Sequence, residues 1–118
     1  VGKHIMNEFK NLLVNKSCIP CQGDTPPLSL DQATRLLTEL GNNWSLNEAG
    51  YLSKTYSFPD FITAMMFANQ IARISEKEGH HPELNIGWGY CTVTIWTHKI
   101  KGLTESDFIL AAKIETLK

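Results

Sequence analysis

Two short runs on either side of Gly89 limit the possible folds more than any other feature. Leu84, Ile86 and Trp88 alternate with Asn85 and Gly87, and Cys91, Val93 and Ile95 then alternate with Thr92, Thr94 and Trp96. A period of two sends successive side chains to opposite faces, so each run predicts a half-buried strand. Gly89-Tyr90 fits a two-residue turn with glycine first, which joins the runs as a hairpin. Parallel strands need a crossover of a dozen or more residues, so this part of the sheet must be antiparallel.

The preceding half of the chain has the same plan. Trp44 to Leu46 predicts a short strand and Glu48-Ala49-Gly50 a turn. Leu52, Tyr56 and Phe58 then share one face of a second strand, with Ser53, Thr55 and Ser57 on the other. Helical spacing fills the intervals. Ser29 and Gln32 form a capping box, Ala33, Leu36, Leu37 and Leu40 make an apolar stripe, and Gly41 stops the helix. Pro59 and Asp60 suit the first turn of a long helix whose Phe61, Met65, Ala68 and Ile71 share one side and which closes near Gly79. Thr104 and Asp107 cap a last helix bearing Leu110, Ile114 and Leu117. The expected fold is α+β, ordered α-ββ-α-ββ-α, with a four-stranded antiparallel sheet and helices on one face. The other face is then short of cover, with Tyr51 and Trp96 placed on it, so a homo-oligomer (dimer or tetramer) is expected. The Cys91–His98 run is long and poor in charge, which suggests an edge able to pair with a symmetry mate.

Residues 1–28 are expected to form an N-terminal segment and a Cys/Pro-rich loop ahead of a domain at 29–118. In that segment Ile5, Met6, Phe9, Leu12 and Leu13 have helical spacing. Cys18, Pro20, Cys21, Gly23, Pro26 and Pro27 follow as loop. Met6 stands close behind Val1, which leaves residues 1–5 open as part of the native start. A length of 118 residues gives one domain. A net charge of -1 offers no reason to expect a direct nucleic-acid partner. No apolar run approaches the roughly 20 residues that span a bilayer, so no membrane association is expected, and there is no signal-peptide pattern. Three cysteines are an odd set, which argues against a disulfide framework and for a reducing, cytoplasmic setting.

The chemistry concentrates in residues 76–107. Glu76 precedes His80-His81-Pro82, and His98 stands at the far end of the hairpin that starts there. Pairing across that hairpin returns residue 98 to the neighbourhood of residue 82. Glu76 and His80 are four apart and can meet on one helical face. Pro82 ends the helix and biases His81 to an extended conformation. Three convergent imidazoles beside a carboxylate can move protons near neutral pH. His4 is better read as a surface or structural histidine, Asp107 as a helix cap, and Trp88 and Trp96 as core or interface residues rather than ligand walls. No H-E-x-x-H spacing is present and adjacent histidines rarely aim at one ion, so no metal is expected. Cys18-x-x-Cys21 is half a zinc site without its second half.

Glu76, His80-His81-Pro82, Trp88, His98, Gly102-Leu103-Thr104 and Asp107 together resemble the signature of the pterin-4a-carbinolamine dehydratase family over about residues 28–117. The chain has Leu84 where animal members carry tryptophan. The resemblance implies an α-ββ-α-ββ-α fold and a hydro-lyase. Its reaction would be loss of water from a 4a-hydroxytetrahydropterin, giving the quinonoid dihydropterin, with no cofactor. It implies a small-molecule pterin substrate and a functional link to phenylalanine hydroxylase and the other aromatic amino acid hydroxylases. It makes His80, His81, His98 and Glu76 the catalytic set, with His80 the leading acid, supported by Glu76. His98 is the second proton-transfer group and His81 positions substrate. Pterin contacts would come from His80, His81, Pro82, Thr97, His98, Lys99 and Ile100. The alternative is a non-enzymatic dimerisation or interaction module on the same fold.

Overall fold

The computed structural model of the protein describes residues 13–19 and 25–118. His4, Cys21 and the first residues of the helical spacing at the N-terminus lie outside the described residues. Helix α1 is Leu30–Leu40, strand β1 Ser45–Leu46, strand β2 Leu52–Ser57 and helix α2 Phe61–Glu78. Strand β3 is Glu83–Gly87, strand β4 Tyr90–Ile95 and helix α3 Glu105–Glu115. This is the expected α-ββ-α-ββ-α order.

The caps explain where the helices begin. Ser29 Oγ accepts the Gln32 N–H at 3.1 Å while the Gln32 side chain accepts the Ser29 N–H at 2.9 Å, a complete capping box. Asp60 is the N-cap of α2 rather than a first-turn residue. Its carboxylate takes the Thr63 N–H at 2.8 Å and the Thr63 hydroxyl at 2.6 Å, which satisfies a donor the helix cannot.

The sheet is antiparallel throughout, in the order β1-β2-β4-β3. After β2 the chain crosses by α2 to the far edge, lays down β3, and turns back so that β4 fills the gap. The Cys91–His98 run is therefore not an edge. β4 pairs with β2 on one side and with β3 on the other, and among the described residues the free edges are β1 and β3. The hairpin turn also sits one residue earlier than the glycine pattern predicts. Gly87 pairs with Tyr90, so Trp88 and Gly89 are the turn residues and Gly89 takes a φ of 84°. The left-handed position belongs to the glycine because it has no Cβ to clash.

Leu52 and Tyr56 from β2 join Cys91, Val93 and Ile95 from β4 in a core closed by Phe67, Ala68 and Ile71 of α2 and by α3. Every residue of α3 from Ser106 to Ala112 is buried, more than the stripe of Leu110, Ile114 and Leu117 predicts. The reason is position: α3 packs on both α1 and α2. The segment Leu13–Ile19 lies against it as well. There Lys113 Nζ donates to the Val14 carbonyl at 2.8 Å, and the Ile19 N–H donates to Ser106 Oγ at 3.0 Å.

Candidate active site

The site forms where the ends of α2 and β4 meet the start of α3. Gly79 stops α2 in the left-handed conformation, φ 64° and ψ 28°, and both its N–H and that of His80 reach the Ser75 carbonyl. This turn separates the two histidines. The His80 side chain points inward and is 13% exposed, whereas that of His81 is 56% exposed.

His80 Nε2 lies 2.6 Å from Asp107 Oδ1. Asp107 is fully buried and its other oxygen is equally occupied. Oδ2 accepts the Thr97 hydroxyl and the Thr104 N–H, both at 2.8 Å. The Thr104 and Thr97 hydroxyls are 2.9 Å apart, so Thr104 donates to Thr97, which donates to the carboxylate. A carboxylate can only accept, so Nε2 of His80 carries the proton and Nδ1 is left for other partners. Three donors on two oxygens satisfy the buried charge, as burial demands.

Two sequence expectations are corrected here. Glu76 does not support His80. It pairs with His81, Glu76 Oε2 to His81 Nε2 at 2.5 Å on the surface, because His80 follows a left-handed residue and has left the helical face. Asp107 is more than a cap: one oxygen takes the Thr104 N–H while the other holds His80. The later aspartate of the resemblance pattern was the signal for it. The Thr97 hydroxyl was not singled out for this role, since a threonine at a strand end carries no pattern of its own.

His98 begins a tight loop closed by the Thr97–Gly102 bridge, with the Thr97 N–H on the Gly102 carbonyl at 2.8 Å and Lys101 at φ 49°. Its ring stacks on Trp96, centroids 4.3 Å apart and planes within 13°. His80, His81 and His98 thus converge on one cleft of about 290 Å³, completed by Gly79, Trp96, Thr97 and Lys99. That volume suits one small molecule. Pro82 borders a neighbouring hollow of about 240 Å³ shared by Glu76, His81 and the apolar Ile71 and Leu84. Ile100 borders neither. Trp96 is a wall of the cleft. Trp88, at 73% exposure, is not in the core of this chain. Among the described residues, no three His, Cys, Asp or Glu side chains come together as a metal-binding group.

The pterin 4 alpha carbinolamine dehydratase family model matches residues 26–117. The chain belongs to that family. A Rickettsia canadensis protein named "Putative pterin-4-alpha-carbinolamine dehydratase" is 60% identical over 105 residues, covering 89% of this chain and 96% of the relative. A protein of the same name from Methylococcus capsulatus is 47% identical over 106 residues, covering 89% and 92%. Among solved structures, a transcriptional coactivator/pterin dehydratase from Brucella melitensis superposes with a TM-score of 0.72 at 30% identity, covering 78% of this chain and 98% of that one. A pterin dehydratase-like RuBisCO assembly factor of the alpha-carboxysome superposes with a TM-score of 0.54 at 26% identity, covering 63% and 87%. The dehydratase family resemblance is thereby matched over residues 26–117.

Proposed function

We propose that this chain is a hydro-lyase that converts a 4a-hydroxytetrahydropterin to the quinonoid dihydropterin and water. In this reading the C4a–O bond breaks as the hydroxyl takes a proton and leaves as water. N5 gives up its proton, and its electron pair forms the new C=N bond. One acid and one base suffice, and each positioned transfer supplies roughly 10²–10⁴-fold. His80 is the acid at the departing hydroxyl, and Asp107 stabilises the charge its ring carries. His98 is the base toward N5. His81, steadied by Glu76, positions the ring, and the Thr97–Lys99 backbone with Gly79 and His80 frames its polar edge. The reaction needs no cofactor or metal. It would return the cofactor of an aromatic amino acid hydroxylase such as phenylalanine hydroxylase to its cycle.

The observation that carries this reading is the buried Asp107–His80 pair at the wall of a cleft shared with two further imidazoles, in a chain of this family. The test is dehydration of a 4a-hydroxytetrahydropterin followed by absorbance. The wild type is expected to accelerate it, His80→Ala to lose most of that acceleration with the fold retained, and His98→Ala to lose less. Wild-type rates in both variants would overturn the site. A second reading, an interaction module with no catalysis, is favoured by the apolar residues Ile62 and Met66 that α2 leaves exposed. An inactive wild type that captured a partner would support that second reading.

A further inference from the structure

The three histidines are held in different ways. His80 has Asp107 and His81 has Glu76. Among the described residues, no group hydrogen-bonds the His98 ring, and His98 is exposed on its loop. What His98 has is a stack. Its ring lies 4.3 Å from Trp96 and 13° from parallel, and Trp96 lies 4.6 Å from Tyr51 and 7° from parallel. Two rings parallel to one indole at these distances would overlap if they shared a face, so Trp96 is sandwiched between them. The sheet builds the pile. Leu52 is paired with Ile95, so Tyr51 and Trp96 are the next residues outward on neighbouring strands, and both turn to the face that no described helix covers. His98 follows two residues past Trp96, beyond the end of β4, in the loop closed by the Thr97–Gly102 bridge. The first hairpin anchors the far end: the Tyr51 N–H donates to Asn47 Oδ1 at 3.0 Å and its carbonyl accepts the Asn47 N–H at 2.9 Å.

A base that must reach a substrate proton needs at least one ring nitrogen free of the protein. A hydrogen bond would fix the ring at the expense of one nitrogen. A stack fixes the plane and leaves both nitrogens free. We infer that Trp96, backed by Tyr51, is a positioning residue that holds the His98 ring in the plane required for proton transfer. This deepens the dehydratase reading and rests on it.

The test joins a structural and a kinetic readout. In the free protein, His98 ring protons observed by NMR of histidine-labelled samples should lie upfield, in the shielding cone of the indole. Trp96→Ala should move them toward free-imidazole positions and Trp96→Phe should largely keep them. In the dehydration assay Trp96→Ala should lower kcat about tenfold, part of what a well-placed proton acceptor contributes, with KM changed less than about twofold. Trp96→Phe should recover most of the loss, and Tyr51→Ala should give a smaller version of it. Placed in a His98→Gln background, Trp96→Ala should cost nothing further. Equal losses with and without His98, failure of phenylalanine to rescue, or unmoved His98 signals would each overturn the inference. A slow His98→Gln beside a fully active Trp96→Ala overturns the positioning role alone. A His98→Gln variant at the wild-type rate overturns His98 as the base and the positioning role with it, and an inactive wild type overturns the dehydratase reading itself.

Discussion

At the scale of single residues, Asp107 makes the strongest demand on the sequence. Its carboxylate accepts from Thr97, Thr104 and His80 with no solvent to substitute for any of them. Asp107→Asn keeps the shape but turns an N–H toward one of those donors. The variant should lose about 1–3 kcal/mol of stability, measured by urea unfolding. Its dehydration rate should fall by roughly 10²-fold or more, because the His80 tautomer is no longer fixed. Cys18 makes the opposite case, a residue whose chemistry is suppressed. Burial first, and then the neighbouring Glu78 carboxylate, pushes its thiol up to about 12. Thiolate is the reactive form, so Cys18 should resist iodoacetamide at pH 7.5 in the native protein and react only once denatured, as peptide mass spectrometry would show. Its thiol reaches the Ser106 carbonyl at 3.5 Å, so Cys18→Ser, which preserves a donor there, should alter melting only slightly.

At the scale of elements, the C-terminal end of α2 sets the site. Gly79 has nothing within 4 Å of an added Cβ, so Gly79→Ala meets no clash and suffers only the left-handed backbone. That should cost about 1–2 kcal/mol in thermal unfolding, with dehydration falling further than stability because His80 is the next residue. One residue earlier, Glu78 takes the Cys18 N–H at 2.9 Å and lies 3.5 Å from Lys113. The Cys18 N–H, foremost, and the Lys113 charge hold its carboxyl below the usual glutamate range. A carboxylate depressed in the folded state stabilises fully above its unfolded value of about 4.3, and this contribution disappears as pH falls through the lower folded value. Melting temperatures should therefore drop in that acid window, and Glu78→Gln should show a shallower drop. The capping boxes, the alternation in β2 and β4 and the glycine stop of α2 were all legible in the sequence, since each is decided by neighbours three or four residues apart. The order β1-β2-β4-β3 was not, because two hairpins joined by a helix can be laid side by side in more than one way. The His80–Asp107 pairing was hidden by the same left-handed turn at Gly79, which removes His80 from the helical phase that spacing predicts.

At the scale of the whole molecule, the question is which surface needs a partner. Through Tyr51 and Trp96 the sequence pointed to the face of the sheet that no described helix covers, but those rings are half-buried in their own stack, and that face also carries Ser53, Thr55, Thr92 and Thr94, with Tyr90 its one exposed aromatic. Most of the exposed apolar groups among the described residues lie elsewhere. On α2, Phe61 is 48% exposed, Ile62 65% and Met66 61%, and at the β3–β4 turn Trp88 is 73% exposed. The turn belongs to the same end of the molecule, since the Gly89 carbonyl accepts the Phe58 N–H at 2.8 Å just ahead of α2. Large apolar side chains grouped in this way are the usual mark of a contact surface. A second copy is the simplest occupant, because a two-fold axis across α2 sets each stripe against its own equivalent. A stable pair needs about 800 Å² from each partner, more than one helical stripe offers, so Trp88 and the free β3 edge should contribute. Light scattering at micromolar concentration should give a mass of at least two chains. Ile62→Glu with Met66→Glu should reduce it to one, with near-wild-type melting of the isolated chain because neither side chain is in the core. A double variant that kept the oligomeric mass would move the interface away from α2, to the β3 edge or the threonine-rich face. A wild type with the mass of one chain would remove the need for any interface.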